Sequence, residues 1–220
     1  MSAETLVEIF RGKKPPATGF FMCDKRYVGT VAHCMEANPL PGFYRDHGNR
    51  NRQPEVEIRH GGVAAHMVLV GYECCLDLAV LGVESKSSVY PPLRQTASAT
   101  GALQTLRDTR ETARVLLIDP PDGQEVQLKI YTRRGAIICG KTNSHRYRGQ
   151  TLFYILKTDG EVMDGDSGSP AFTATGEVFG IVSASPDGKR EALIIRLSTT
   201  IPVWLLRELE AVQGDGNPQG

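Results

Sequence analysis

The sequence predicts an all-β protein, and three observations carry this prediction. Short apolar or alternating runs recur along the whole chain, and each is broken by turn-forming residues such as Gly, Pro, Asn and Asp. A segment rich in Ser and Pro at residues 84–101 divides these runs into two sets, which indicates two domains joined by a linker. The strand pattern gives way to a helical one near the C-terminus. Many short strands at regular spacing are typical of a sandwich or a barrel.

The predicted strands of both halves are short runs in which β-branched, aromatic and other apolar residues dominate. In the first half they are residues 5–10, 18–22, 27–31, 56–59, 65–72 and 76–82. In the second half they are residues 113–118, 126–131, 135–139, 151–156, 170–172, 178–183 and 192–197. Residues 36–54 are polar and rich in Pro, Gly, Asn and Arg, which predicts a long loop between the third and fourth strands.

One amphipathic helix is predicted near the C-terminus. The Ser-Thr-Thr run that begins at Ser198 offers N-caps, and Pro202 suits a first helical turn. Apolar residues then recur at helical spacing, at Ile201, Leu205, Leu209 and Val212. The polar, glycine-rich residues 213–220 are predicted to form a disordered tail.

The composition excludes several kinds of partner. The chain has 220 residues with 25 basic and 25 acidic side chains, so its formal charge is zero. Nucleic-acid-binding domains usually carry a basic excess, and we therefore expect no nucleic-acid partner. No apolar run is long enough to span a bilayer. The opening sequence MSAETLVEIFRGKKPP has charges on both sides of a short apolar stretch, unlike a secretory signal. An intracellular location is favoured, or a secreted one if a signal has been removed.

Five cysteines, at positions 23, 34, 74, 75 and 139, limit the disulfide and metal chemistry. The odd number excludes a complete set of intrachain disulfides. There is no Cys-x-x-Cys pair and no Cys/His cluster with zinc-ligand spacing, so we predict no structural metal. Cys74 and Cys75 would face opposite sides of a strand, and we interpret them as packing residues.

Ser167 lies in a turn that suits nucleophilic chemistry. It is the third residue of GDSGSP at residues 165–170, where Gly165 and Gly168 allow backbone angles that other residues resist. Such a turn can expose a hydroxyl and aim consecutive N–H groups at one point, as an oxyanion hole requires. A serine hydroxyl is a weak nucleophile, so it needs an adjacent base and a carboxylate that orients the base.

His33 and Asp77 are the candidates for that base and that carboxylate. His33 ends a predicted strand in the sequence TVAHC, and Asp77 lies inside the apolar run LDLAVL. A lone buried carboxylate is unfavourable unless a hydrogen bond satisfies it, and a histidine N–H would do so. Each residue alone has an ordinary structural explanation, but the three together predict a catalytic set.

The motifs GDSGSP, TVAHC and LDLAVL resemble the three triad motifs of trypsin-like serine peptidases, in that family's order of His, Asp and Ser. The separations are 44 residues from His33 to Asp77 and 90 residues from Asp77 to Ser167. They suit one barrel that carries His and Asp and a second that carries Ser. The resemblance spans about residues 5–212 and includes GFF at residues 19–21 and GIVS at residues 180–183.

The resemblance implies two six-stranded antiparallel β-barrels with the site in the cleft between them, followed by the C-terminal helix. We expect residues 1–95 to form the N-terminal barrel with His33 and Asp77. Residues 96–212 would form the C-terminal barrel with Ser167 and the helix, and residues 213–220 the disordered tail.

The resemblance also assigns roles to the site residues. Ser167 would attack the scissile carbonyl, His33 would take and return its proton, and Asp77 would orient His33. The N–H groups of Gly165 and Ser167 would bind the oxyanion, and Ser183 resembles the serine that supports the triad carboxylate. This chemistry needs no cofactor.

The residues that correspond to the family's substrate-binding pocket are Glu161, Val162, Asp164, Ser183, Ala184 and Ser185. An acidic Glu161 at the floor of the pocket would favour Lys or Arg before the cleaved bond by charge pairing. If Glu161 points to solvent instead, that preference does not follow. Val182 stands where glutamate-specific relatives carry a histidine, so acidic specificity by that route is not expected.

Two further expectations concern Cys34 and Asp166. In many family members the cysteine after the catalytic histidine is bridged to one on the preceding strand, and Cys23 is the obvious partner for Cys34. The sequence leaves open whether this pair is a disulfide or two thiols. Asp166 corresponds to the residue that pairs with a new amino terminus after zymogen cleavage. No Ile-Val-Gly-Gly-like activation site is recognisable, so we expect activity without N-terminal trimming.

The predicted function is that of a serine endopeptidase, which acts on protein or peptide substrates through an acyl-enzyme. Two alternatives remain at this stage. A virus-encoded polyprotein-processing peptidase would share the chemistry, and the compact sequence resembles bacterial and viral members. A catalytically silent binding module would share only the fold. The chain could also be part of a larger polypeptide.

Overall fold

The structure is a computed structural model that describes residues 3–10, 16–35, 55–73, 77–82, 97–118, 124–147, 150–184, 190–201 and 203–214. Several sequence predictions therefore lie outside the described residues. They are the loop at 36–54, the part of the linker at 84–96, Cys74, Cys75, Ser185 and the tail residues 215–220.

Six of the described strands close the first barrel. They are β1 (Leu6–Phe10), β2 (Ala17–Met22), β3 (Tyr27–Val31), β4 (Glu55–His60), β5 (Val63–Glu73) and β6 (Leu78–Gly82). Their order around the sheet is β1-β2-β3-β6-β5-β4, with every pairing antiparallel. The pairing of Ile9 with Ile58 joins β1 to β4 and closes the sheet.

The other six described strands repeat this arrangement in the second barrel. They are β7 (Gln127–Tyr131), β8 (Ile137–Tyr147), β9 (Gln150–Thr158), β10 (Pro170–Phe172), β11 (Val178–Ala184) and β12 (Glu191–Arg196). They follow the order β7-β8-β9-β12-β11-β10, and Ala171 pairs with Ile130 to close β10 onto β7. The prediction of two six-stranded antiparallel barrels is confirmed.

Apolar side chains fill each barrel and also the space between the barrels. Successive residues of a strand face opposite sides, and β2 is buried on both sides. Phe21 therefore packs inside the first barrel, whereas Phe20 packs between the barrels in a cluster that includes Phe172 and Ile181 of the second barrel. This shared core fixes the two barrels against each other and so fixes the cleft between them.

A helix that the sequence did not predict, α1 (Ala97–Thr109), begins inside the segment interpreted as a linker. Its buried residues Leu103 and Leu106 pack in the core of the first barrel beside Phe21 and Met35. The Ser, Thr and Gly content of the segment hid the helix, because these residues have low helix propensity. Tertiary packing of the two leucines stabilises the helix, although the local sequence has low helix propensity.

The predicted strand at residues 113–118 does not join either sheet as a ladder strand. Val115 forms an isolated bridge with Val178, while the N–H of Ala113 donates to the carbonyl of Phe21 at 2.8 Å. The segment thus contacts the second barrel through Val178 and the first barrel through Phe21.

The C-terminal helix is split into α2 (Leu197–Thr200) and α3 (Val203–Gly214). Ile201 has an extended backbone, with ψ of 131°, because a residue that precedes proline is disfavoured in the helical region. Leu205 and Leu209 of α3 are buried, and Trp204 packs edge-to-face on Tyr27 of the first barrel at 5.4 Å. Among the helices of the described residues, none has the length and apolar character needed to cross a bilayer.

Candidate active site

His33 lies just beyond the end of β3, in a single turn of 3-10 helix at Ala32–Cys34. Ala32 is buried, and its N–H donates to the backbone carbonyl of Asp77 at 2.9 Å, which ties this turn to the start of β6. The imidazole itself is half exposed and faces the cleft between the barrels.

Asp77 immediately precedes β6 and holds His33 through its carboxylate. Oδ1 accepts the backbone N–H of His33 at 2.8 Å, and Oδ2 lies 2.8 Å from Nδ1 of the ring. Oδ2 also accepts a short hydrogen bond from the hydroxyl of Ser183 in the second barrel. Since an ionised carboxylate only accepts, Nδ1 carries the hydrogen, and Nε2 is the acceptor when the ring is neutral. Asp77 has a φ of 55°, which few residues other than glycine adopt.

The surroundings of His33 favour its charged form. The hydrogen bond with Asp77 is the largest influence that raises the pKa of His33 above its ordinary value, and a hydrogen bond with Cys34 adds to it. Partial burial acts in the opposite direction but does not outweigh them. The ring is therefore well placed to hold a proton that it receives at Nε2.

The turn around Ser167 has the geometry that its glycines predict. Gly165 has a φ of 90° and Gly168 a φ of 89°, both in the region that disfavours side chains. A Cβ added to Gly168 would lie 1.8 Å from the carbonyl oxygen of Thr18, so only glycine fits against the first barrel here. The N–H of Thr18 also donates to the carbonyl of Ser167 at 2.9 Å. Both barrels therefore hold the turn.

The hydroxyl of Ser167 shares a cavity with the ring of His33. Oγ of Ser167 donates to the backbone carbonyl of Ser183 at 2.9 Å, and the part of the chain that the structure describes shows no hydrogen bond from it to His33. Ser183 thus contacts Ser167 through its carbonyl and Asp77 through its hydroxyl. Ser183 of β11 therefore links Ser167 to Asp77, which in turn binds His33.

The cavity has a volume of about 430 Å³ and is lined by both barrels. The first barrel contributes Pro16, Ala17, His33 and Cys34. The second contributes residues 162–165, Ser167 and Ser183. Met163, which the sequence analysis did not select, is 46% exposed at this cavity, and only its place between two predicted pocket residues could have indicated it.

The predicted substrate-binding residues divide into two groups. Val162, Asp164 and Ser183 line the cavity. Glu161 does not: it is exposed, and its backbone carbonyl accepts a hydrogen bond from Nη2 of Arg134 at 3.4 Å. Ala184 pairs with Leu193 through the β11–β12 ladder, and its side chain, like all of Ser185, lies outside the described residues.

Cys23 and Cys34 are thiols, so the disulfide that the sequence allowed is not formed. Cys23 lies in the turn that joins β2 to β3, whereas Cys34 follows the far end of β3. A strand rises about 3.3 Å per residue. The length of β3 therefore holds the two α-carbons well beyond the separation of about 7 Å that a disulfide can bridge. Ala17, at the start of β2, lies with Cys34 at the cavity instead.

Asp166, the residue before Ser167, is fully buried and has a cationic partner. Two guanidinium nitrogens of Arg134 donate to its carboxylate, with 2.6 Å from Nη2 to Oδ2 and 3.3 Å from Nε to Oδ1. The N–H of Met163 donates to the same carboxylate at 2.8 Å. This fork-shaped pairing satisfies a charge that could not remain buried alone. Sequence reasoning missed Arg134, because it is 32 residues away from Asp166.

The chain is similar to known peptidases in sequence and in fold. The family model of the trypsin-like peptidase domain matches residues 17–181. The active form of the Rv3671c protease from M. tuberculosis superposes with a TM-score of 0.56 at 18% identity, over 100% of this chain and 85% of that one. The serine endoprotease from Yersinia pestis gives 0.54 at 17% identity, over 98% and 65%. A human pathogenic astrovirus serine protease gives 0.53 at 16% identity, over 91% and 93%.

Proposed function

Since the chain belongs to the trypsin-like peptidase domain family, we propose that it is a serine endopeptidase that cleaves peptide bonds through an acyl-enzyme on Ser167. One observation carries the proposal. Side chains from the two barrels meet at a single cavity, where Asp77 orients His33 and Ser167 faces the same space. This is the arrangement of nucleophile, base and orienting carboxylate that acyl transfer requires.

In the first half of the reaction, the Ser167 hydroxyl turns from the Ser183 carbonyl to Nε2 of His33. Such hydrogen bonds often form only once substrate is bound. Oγ then attacks the scissile carbonyl carbon while its proton passes to Nε2, and the carbonyl electron pair moves onto oxygen. The N–H groups of Gly165 and Ser167 are the proposed donors to this oxyanion, and Asp77 stabilises the imidazolium.

In the second half, the imidazolium gives its proton to the leaving amine as the C–N bond breaks. Water then loses a proton to Nε2 and attacks the acyl carbon. Collapse of this second oxyanion releases the carboxylic acid and returns the proton to Ser167. His33 thus acts as base and acid in alternation, and the raised pKa that Asp77 gives it suits the proton-holding part of this cycle.

Substrate preference would be set by the side chains that reach the cavity. These include Val162, Met163 and Asp164, whereas Glu161 is exposed elsewhere. A preference for Lys or Arg before the cleaved bond, as the sequence suggested from Glu161, would therefore depend on the charge of Asp164.

We further propose that the enzyme needs no N-terminal cleavage to become active. Asp166 is already paired with Arg134, so the charge that a new amino terminus would neutralise is satisfied within the folded chain. A requirement for N-terminal processing before any activity appears would contradict this part of the proposal.

Labelling with an alkyl fluorophosphonate tests the proposed function. The probe loses fluoride as Oγ of an activated serine bonds to phosphorus, and mass spectrometry then locates the adduct. We expect the adduct on Ser167 and none in Ser167→Ala. Ser169→Ala is the matched control from the same turn and should label like the wild type, since the buried Ser169 hydroxyl has no partner among the described residues. A folded wild type that does not label, or labelling that persists in Ser167→Ala, would refute the proposal.

A further inference from the structure

We infer that Arg133 is a positioning residue for the oxyanion loop, residues 163–167, and that it makes the shape of this loop depend on contact with the N-terminal barrel. The inference rests on the proposed function, because the position of Gly165 affects catalysis only if its N–H binds the oxyanion. The inference is based on two contacts of the Arg133 guanidinium, one with Gly165 and one with Glu8.

The turn between β7 and β8 fixes the position of the Arg133 backbone. The N–H of Thr132 donates to the carbonyl of Ala136 at 3.0 Å, and the N–H of Gly135 donates back to the carbonyl of Thr132 at 2.9 Å. Gly135 has a φ of 76°, which only glycine adopts readily. The tight turn places Arg133 and Arg134 side by side under the oxyanion loop, where Arg134 pairs with Asp166.

The guanidinium of Arg133 lies directly against Gly165. A Cβ added to Gly165 would lie 2.7 Å from both Nε and Nη2 of Arg133 and 3.0 Å from Cζ. The guanidinium therefore occupies the space that any side chain at this position would need. A fixed positive charge thus lies beside the glycine whose N–H is the proposed oxyanion donor, where it opposes movement of the loop and favours negative charge nearby.

The other end of Arg133 reaches the first barrel. Its Nη1 lies 3.4 Å from Oε1 of Glu8 in β1. Across the ladder between β1 and β2, Glu8 pairs with Thr18. The hydroxyl of Thr18 donates to the carbonyl of Gly165 at 2.9 Å. Glu8 and Thr18, neighbours on one sheet, therefore hold Gly165 from two sides, one through Arg133 and the other directly.

This arrangement predicts an effect on catalysis rather than on stability. Glu8 and Arg133 are both partly exposed, and exposed ion pairs contribute little to stability. Catalysis is more sensitive, since the loss of one oxyanion donor lowers turnover by about 100-fold or more. If the N–H of Gly165 is held less firmly but still present, turnover should fall by about 10-fold. KM should change little, because ground-state binding does not use the oxyanion.

The test compares Arg133→Ala, Arg133→Lys, Glu8→Gln and the double variant Arg133→Ala/Glu8→Gln. Arg114→Ala is the matched control, because Arg114 also makes a 3.4 Å ion pair, with Glu177. For each protein we would measure kcat and KM on a fluorogenic peptide chosen from a cleavage library, the rate of fluorophosphonate labelling, and the melting temperature. We expect Arg133→Ala to lose about 10-fold in kcat and in labelling rate, with Arg133→Lys and Glu8→Gln intermediate.

The double variant should be no slower than Arg133→Ala, because Glu8 acts through Arg133. Arg114→Ala should match the wild type. The inference is overturned if folded Arg133→Ala keeps kcat within twofold of the wild type, if KM alone changes, or if the two single losses multiply in the double variant. Wild-type labelling separates this failure from the other one: an unlabelled wild type refutes the proposed function, whereas a labelled wild type with an unaffected Arg133→Ala refutes only the inference.

Discussion

The two barrels hold their parts of the site by different means. In the N-terminal barrel, one carboxylate holds the catalytic candidate in place, because Asp77 binds both the backbone and the ring of His33. In the C-terminal barrel, the turn at Ser167 depends on backbone geometry, with glycines at positive φ on both sides, and on the buried carboxylate of Asp166, which pairs with Arg134. Loss of the Asp77 carboxylate should therefore affect chemistry, whereas loss of Arg134 beneath the turn should affect folding.

Each barrel also holds the other's part of the site. Ser183 of the C-terminal barrel supports Asp77, and Thr18 of the N-terminal barrel binds both Gly165 and Ser167. These contacts cross the cleft in both directions. A catalytic site assembled in this way is sensitive to the docking of the barrels as well as to the identity of its residues.

Asp77→Asn should give the largest effect and should confine it to chemistry. Asparagine keeps an oxygen for the backbone N–H of His33, so the turn should stay folded, but it no longer fixes the ring with Nε2 as the acceptor. Loss of the triad carboxylate lowers turnover by about 10⁴-fold in this family. The measurement is kcat/KM on a peptide substrate together with the melting temperature.

The matched control for Asp77→Asn is Asp108→Asn, which alters an exposed carboxylate that pairs with Gln104 on α1. It should retain full activity. A folded Asp77→Asn enzyme with activity within about 10-fold of the wild type would remove Asp77 from the proposed triad.

Arg134→Ala should have its main effect on folding. It leaves the buried carboxylate of Asp166 with the N–H of Met163 but without its cation. Removing one partner of a fully buried ion pair costs about 3–5 kcal/mol, and since Arg134 is 35% exposed we expect a smaller loss of about 1–3 kcal/mol here. Urea denaturation would measure the free energy of unfolding. Arg134→Ala/Asp166→Asn should lose less than the single variant, because the uncompensated charge is gone.

Lys141→Ala provides the contrast for Arg134→Ala, since its ion pair with Glu125 is exposed and should be worth about 1 kcal/mol or less. Equal stabilities of Arg134→Ala and Lys141→Ala would show that the ion pair at Asp166 does not support the turn.

The pH dependence should give the smallest effect, and it concerns the first barrel alone. Since the folded pKa of His33 is raised above 6.5, its charged form adds stability below pH 6.5 that is lost as the pH rises through the folded pKa. Activity has the opposite sign, because the reaction needs the neutral ring. We expect kcat/KM to rise with pH with a midpoint above 6.5, and Cys34→Ala to move that midpoint down.

Cys23→Ala is the control for Cys34→Ala, because Cys23 is a buried thiol in the turn at the opposite end of β3 from His33. It should leave the midpoint unchanged. An upward shift in Cys34→Ala would contradict the role given to the contact between Cys34 and His33.

The strands could be predicted, and the three motifs of the proposed triad could be selected, because their signals are local. Alternation within β7 indicates the buried face directly, and GDSGSP contains the glycines that its own turn needs. Helix α1 could not be predicted, since Leu103 and Leu106 are stabilised by a core formed elsewhere in the chain. The supports from Arg133 and Arg134 are likewise invisible in sequence, because folding alone brings them to the oxyanion loop.

A complex with a peptidyl boronic acid would test most directly the claim that this cavity is a serine peptidase active site. Boron forms a tetrahedral adduct with an activated serine, and a crystal structure would show where its oxygens lie. We expect a bond from boron to Oγ of Ser167, with one oxygen within hydrogen-bond distance of the N–H groups of Gly165 and Ser167 and another group facing Nε2 of His33. A boronate bound elsewhere, or one on Ser167 whose oxygens point away from Gly165, would contradict it.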